Sequence, residues 1–137
     1  MDLPPIIDRK EPAMNSKPMK APGPDHPISI EPSKLHVVVS VAGRVIAESR
    51  SALALREASY PVVLYVPRKD ADMSLLQRSN FSTYCPYKGD CTYFHIPVGG
   101  ERSANAVWSY EDPHTPVGEI RDYLAFYRDR VDAIAED

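Results

Sequence analysis

The chain has 137 residues, is 43% hydrophobic and 26% charged, and carries a net charge of −3 with a pI near 5.8. That is an ordinary globular composition, and the absence of any basic run argues against duplex nucleic acid, whose phosphates need clustered Lys and Arg. No apolar run approaches the roughly 20 residues that cross a bilayer, and Met1-Asp2-Leu3-Pro4-Pro5 lacks the charged-then-apolar pattern of an export signal, so the expectation is a cytoplasmic chain with no membrane partner.

Eight of the 14 prolines lie at or before Pro32, where they interrupt helix and strand hydrogen bonding. Residues 1–25 also lack apolar periodicity and are expected as a disordered, proline-rich tail, serving as a plain linker or a docking arm. Residues 26–137 are then a single domain. From His26-Pro27-Ile28 onward the chain can dock as an extended segment. Leu35–Val41 is the first clear strand, with Leu35, Val37, Val39 and Val41 on one face at period two. Ala42-Gly43 suits a hairpin turn, and Arg44–Glu48 returns antiparallel.

Ala52–Glu57 alternates again. Glu57 shares the parity of Leu53 and Leu55, so a regular strand turns this carboxylate toward the core. Val62–Val66 is apolar on both faces, as a doubly covered strand is, and Pro67 ends it. Thr92–Val98 and Ala104–Tyr110 read as a second hairpin through Gly99-Gly100. One helix is predicted after Thr115-Pro116, with Ile120, Tyr123, Leu124 and Tyr127 as its buried stripe. Val131–Ala135 reads as a last short strand. The predicted fold class is mainly β: compact antiparallel sheets with one C-terminal helix.

Three constellations bear on chemistry. The turn Cys85-Pro86-Tyr87-Lys88-Gly89 is shaped by Pro86 and Gly89, and it sets Lys88 near Cys85. A nearby ammonium favours thiolate, which makes Cys85 and Lys88 catalytic candidates; the alternative is a small packed thiol beside a solvated lysine. Two cysteines make no disulfide framework, and a cytosolic thiol stays reduced. Cys85, Cys91 and His95 do not have the paired spacing of a closed zinc site, so no metal is expected. Asp70 and Asp72, after a strand, have the spacing of an acid pair that holds Mg²⁺ beside a phosphate, although no glycine-rich phosphate loop precedes them. Tyr60, Tyr65, Tyr84, Tyr87, Tyr93, Trp108 and Tyr110 gather at strand ends and turns, where amphipathic rings suit either a ligand cleft or the core itself.

The blocks Tyr60–Arg68, Cys85–Gly89, Ala106–Tyr110 and Tyr123–Tyr127 resemble, in order, those of the domain of unknown function 427 family, over roughly residues 26–136. The resemblance implies a β-tent-like fold similar to methionine sulfoxide reductase B and the ligand-binding domain of cereblon, with a cleft between sheets. The paired cysteines that hold zinc in those relatives are lacking here. The family also carries a nucleotidyltransferase-like label. Its members often place His before the cysteine of the Cys-Pro-Tyr-Lys-Gly block; Tyr84 stands there in this chain, which removes a ready base.

The expected function is binding of a small molecule or peptide in an aromatic cleft around Lys88 and Trp108. Glu57, Tyr65, Arg68, Tyr87 and Tyr110 complete its lining. The alternatives are an enzyme with Cys85 as reactive thiol, Mg²⁺-dependent nucleotidyl transfer at Asp70 and Asp72, and a protein-interaction domain. No cofactor and no nucleic-acid partner are expected, and no oligomeric state is implied.

Overall fold

The computed structural model describes residues 17–137. Period-two apolar runs become strands wherever one face has something to cover. In β2 (Val37–Val41) the valines at 37, 39 and 41 are buried, while Val38 and Ser40 are partly exposed. The β2 turn closes on Ala42 (φ 51°) and Gly43 (φ 75°), a two-residue turn whose positive φ values match the strand twist. It returns as β3 (Arg44–Ser49), and β10 (Ala133–Glu136) pairs on the other side of β2, giving one sheet in the order β10-β2-β3.

A second sheet joins β1 (Ile28–Pro32), β4 (Leu53–Glu57) and β5 (Val63–Tyr65) in the order β1-β4-β5. A third joins β6 (Gln77–Cys85), β7 (Gly89–His95), β8 (Val107–Ser109) and β9 (Ala125–Phe126) in the order β9-β8-β7-β6. All the pairings are antiparallel. The mainly β expectation therefore holds.

The third sheet is covered on both faces. Phe94, Val107 and Phe126 pack with the β2–β3 valines and Ile46 in one core. Their alternating neighbours Tyr93, Trp108 and Ala125 pack with Leu55 and Tyr65 in another. Val66 and Leu124 exchange backbone hydrogen bonds of 2.7 and 2.8 Å, which tie the end of β5 to the strand leading into β9. All three sheets meet near this bridge.

Three segments depart from the sequence reading. The predicted C-terminal helix is a 3₁₀ helix, Thr115–Ile120, within which Val117 leaves helical geometry (φ −118°, ψ 24°). Asp122 adopts φ 66°, and residues 124–126 are extended. Pairing with Val66 and β8 supplies the hydrogen bonds that a helix would have made internally, so tertiary context overrides the 3.6-residue pattern. Thr115 is not the cap: His114 holds that position and Thr115 lies inside the helix. The connection through Gly99-Gly100 is a kinked 3₁₀ stretch, Pro97–Ser103, although the strands flanking it do pair, Val107 with Phe94. Within the expected tail, residues 1–16 lie outside the described residues, but residues 17–25 do not hang free: Lys20 N–H donates to the Pro86 carbonyl at 3.0 Å and Gly23 bridges His26.

Candidate functional site

The alternation of β4 delivers Leu53, Leu55 and Glu57 to the inner face of its sheet, where the two leucines enter the second core. Glu57 ends the strand opposite Ile28. Its carboxylate meets Lys88 Nζ through Oε1 and His26 Nε2 through Oε2, the latter at 2.7 Å. The Lys88 and Glu57 side chains are only 9% and 14% exposed, so this ion pair is removed from solvent. Burial alone pushes the Glu57 carboxyl up, but the hydrogen bonds from Lys88 and His26 outweigh it and hold the group below its ordinary 4.5.

The turn that carries Lys88 is braced from several sides. Gly89 (φ 108°) reverses the chain, and Lys88 N–H donates to the Cys85 carbonyl at 3.2 Å. Tyr87 stacks on His26 with centroids 3.9 Å apart and planes 6° from parallel. Tyr84 Oη donates to the Pro18 carbonyl at 2.7 Å, and Lys17 pairs with Asp90 at 2.5 Å. The segment 17–26 thus lies across the turn. Tyr87 and Lys88, expected as working side chains of a cleft, are occupied by His26 and Glu57. The Lys88 ammonium is directed at a carboxylate rather than at Cys85.

Behind the pair lies the second core. Cys85, Cys91, Tyr65, Tyr93 and Tyr110 all belong to it. Lys88 Nζ sits 5.9 Å from the Tyr110 ring centroid. Tyr65 Oη accepts from the indole N–H of Trp108 at 3.3 Å, and Tyr93 shares a hydrogen bond of 2.9 Å with Thr83. Burial pushes the phenols of Tyr65, Tyr93 and Tyr110, and the Cys91 thiol, above their ordinary values. These groups are neutral at pH 7.

Arg68 is placed elsewhere. It donates to Ser109 Oγ and to the Asp122 carbonyl, both at 3.0 Å, and pairs with Glu111 at 3.1 Å. Arg78 grips the same Glu111 with two hydrogen bonds of 3.0 and 2.9 Å. Hydrogen bonding from Arg78 is the main cause that holds the Glu111 carboxyl below its ordinary 4.5. Asp70 accepts from Ser49 Oγ at 2.7 Å, and Asp72 accepts from Ser74 N–H at 3.1 Å, so the two acids serve separate local bonds. His95 Nδ1 accepts from Asn105 N–H at 3.0 Å. Among the described residues, no group of three His, Cys, Asp or Glu side chains is placed to hold a metal.

Trp108 faces an open space of its own. A cavity of about 190 Å³ sits where the three sheets meet. Val37, Val39 and Ile134 bound it from the first sheet, Val63 and Leu64 from the second, and Trp108 and Phe126 from the third. Tyr127 extends the aromatic wall, its ring 4.4 Å from that of Trp108 and tilted by 43°. Among the described residues, Arg128 supplies the one charged group of the lining, and it pairs with Glu136. The expected cleft therefore divides. Trp108 lines a cavity, Tyr65 supports Trp108 from behind, and Glu57, Tyr87 and Lys88 gather in a partly buried cluster beside Tyr110, outside the cavity lining.

The sequence reading did not mark Val37, Leu64, Phe126, Arg128 or Ile134 as site residues. Their shared cavity depends on three sheet edges converging, and no local spacing announces that. The 3.6-residue spacing places Tyr127 on a helix stripe, whereas it stands beside Trp108 in the aromatic wall.

Residues 29–137 match the family described as Domain of unknown function (DUF427), and the chain belongs to that family. A search of curated proteins finds no match.

Proposed function

We propose that this DUF427 member binds a small molecule by taking a ring-sized apolar group into the cavity beside Trp108. The observation that carries the reading is the cavity itself: about 190 Å³, open on one side and lined by aliphatic side chains on two sheets and by Trp108, Phe126 and Tyr127. An apolar protein cavity of about 150 Å³ accepts benzene, so a single ring fits this one. Trp108 and Tyr127 offer faces for stacking or edge contact, and Tyr65 holds the indole in place through its N–H.

The other chemistries have less behind them. Lys88 gives its charge to Glu57, which weakens the case for a Lys-activated Cys85. Asp70 and Asp72 are engaged by Ser49 and Ser74, which weakens the case for a shared Mg²⁺ and for nucleotidyl transfer.

Trp108 is the only tryptophan of the chain, so its emission reports directly on the cavity. Titration with toluene is expected to change that emission saturably and to raise the melting temperature. Filling the space with Ile134→Phe should abolish both responses. A non-saturating emission change together with an unmoved melting temperature refutes the proposal.

A further inference from the structure

The cavity shares a wall with a second, more polar space. A groove of about 320 Å³ is bounded by Val62, Leu64 and Arg128, all three of which also line the cavity, and runs over the outer face of β4, where Ala54 and Arg56 alternate with the inward leucines. The small Ala54 lies between Leu64 on one side and Glu31 on the other, which leaves a depression in the sheet surface. The β4–β5 register pairs Leu55 with Val63, so its continuation sets Arg56 beside Val62, at the shared wall.

Among the described residues, four charged side chains line the groove: Glu31, Arg56, Arg128 and Glu136. Arg128 and Glu136 neutralise one another. Neither Arg56 nor Glu31 has an ion-pair partner among the described residues. Their distances from the cavity differ. Arg56 lies on the strand that pairs with β5 and shares the groove lining with Val62, whereas Glu31 lies on β1, a further strand away. A molecule leaving the cavity passes Arg128, already paired with Glu136, and then meets Arg56 before Glu31.

We infer that the ligand is an amphipathic carboxylate, with a compact ring in the cavity and a carboxylate on a short alkyl linker held by Arg56. The inference rests on the reading of the Trp108 cavity as a binding site. A guanidinium presents two parallel N–H groups that match a carboxylate's two oxygens, and Arg56 is exposed and free to turn toward one. Glu136 competes for Arg128, so Arg56 is the group that distinguishes an anionic head from a neutral one.

Three probes of equal length separate the possibilities: phenylbutyrate, phenylbutanol and phenylbutylamine, each titrated into the full chain and followed by Trp108 emission. Phenylbutyrate is expected to bind about tenfold more tightly than the alcohol, the scale of one charge-assisted hydrogen-bonded contact. That advantage should shrink with added salt, and Arg56→Gln should remove it while leaving the alcohol's affinity unchanged. The inference is overturned, with the cavity reading intact, if the alcohol binds as tightly as the acid, if the amine binds tightest, or if Arg56→Gln keeps the preference. If none of the three binds while toluene does, the inference alone falls; if toluene also fails, the cavity reading falls with it.

Discussion

Replacing Lys88 by Met keeps most of the apolar stem and removes the charge that faces Glu57. Breaking a buried ion pair on one side typically costs about 3–5 kcal/mol, because the remaining charge stays desolvated. Here the lower end applies, since His26 still hydrogen-bonds Glu57 Oε2. With an m value of about 1.5 kcal/mol/M, a loss of about 3 kcal/mol lowers the urea midpoint by roughly 2 M at pH 7. The pH dependence carries the sign. In the native protein the Glu57 pKa lies below 4.5, so its contribution is complete above 4.5 and is lost as pH falls through the lowered folded value. In Lys88→Met burial dominates and the folded pKa rises, so protonating Glu57 on the way down relieves the penalty. The two unfolding curves should therefore be far apart at pH 7 and converge below pH 4.5. Repeating the comparison in a His26→Gln background removes the other side-chain hydrogen-bond partner of Glu57, and the convergence should persist. An equal gap at both pH values would mean that packing of the stem, not charge, makes the difference; no gap at pH 7 would mean the pair contributes nothing.

Tyr65→Phe removes the acceptor for the Trp108 N–H and should cost about 1–3 kcal/mol while red-shifting or broadening Trp108 emission, measured by denaturant melts and fluorescence. Phenol ionisation followed by ultraviolet absorbance should show Tyr65, Tyr93 and Tyr110 silent at pH 10, and stability should be complete below pH 10 and fall above it, because the unfolded chain ionises there first. Gly99→Ala should destabilise by about 1–3 kcal/mol in thermal melts, since an added methyl would lie 2.8 Å from Val41 Cγ1 and closer still to Ser103. Cys91, 1% exposed with its thiol pushed up by burial, should resist a thiol reagent until the protein unfolds; reaction in the native state would contradict the packing described for the second core.

The valine run of β2, the Ala42-Gly43 turn and the inward parity of Glu57 all follow from period two, because a strand with one buried face writes that face into every second residue. β6 escaped notice for the opposite reason. Its sequence Gln-Arg-Ser-Asn-Phe-Ser-Thr-Tyr-Cys is polar and mostly exposed, and it is a strand because β7 pairs with it, not because its side chains alternate. Residues 120–127 misled in another way. Ile120 and Leu124 are both buried, as a helix stripe requires, yet the segment between them breaks at Asp122 to reach Val66. The turn at Cys85–Gly89 was recognisable as a shaped feature, but its occupants were not. Glu57 and His26 lie 31 residues or more from Lys88 along the chain, and only folding sets them against it. The cavity was visible in sequence through Trp108 alone, because the walls opposite it come from two other sheets.

The central claim is that the space between Trp108, Leu64 and Ile134 accepts an apolar ring. Methyl-detected NMR during a toluene titration reads it residue by residue. The account predicts saturable shifts at Val37, Val39, Leu64 and Ile134, with the Leu55 methyls of the second core unmoved. Shifts that never saturate, or that spread equally to Leu55, would contradict it.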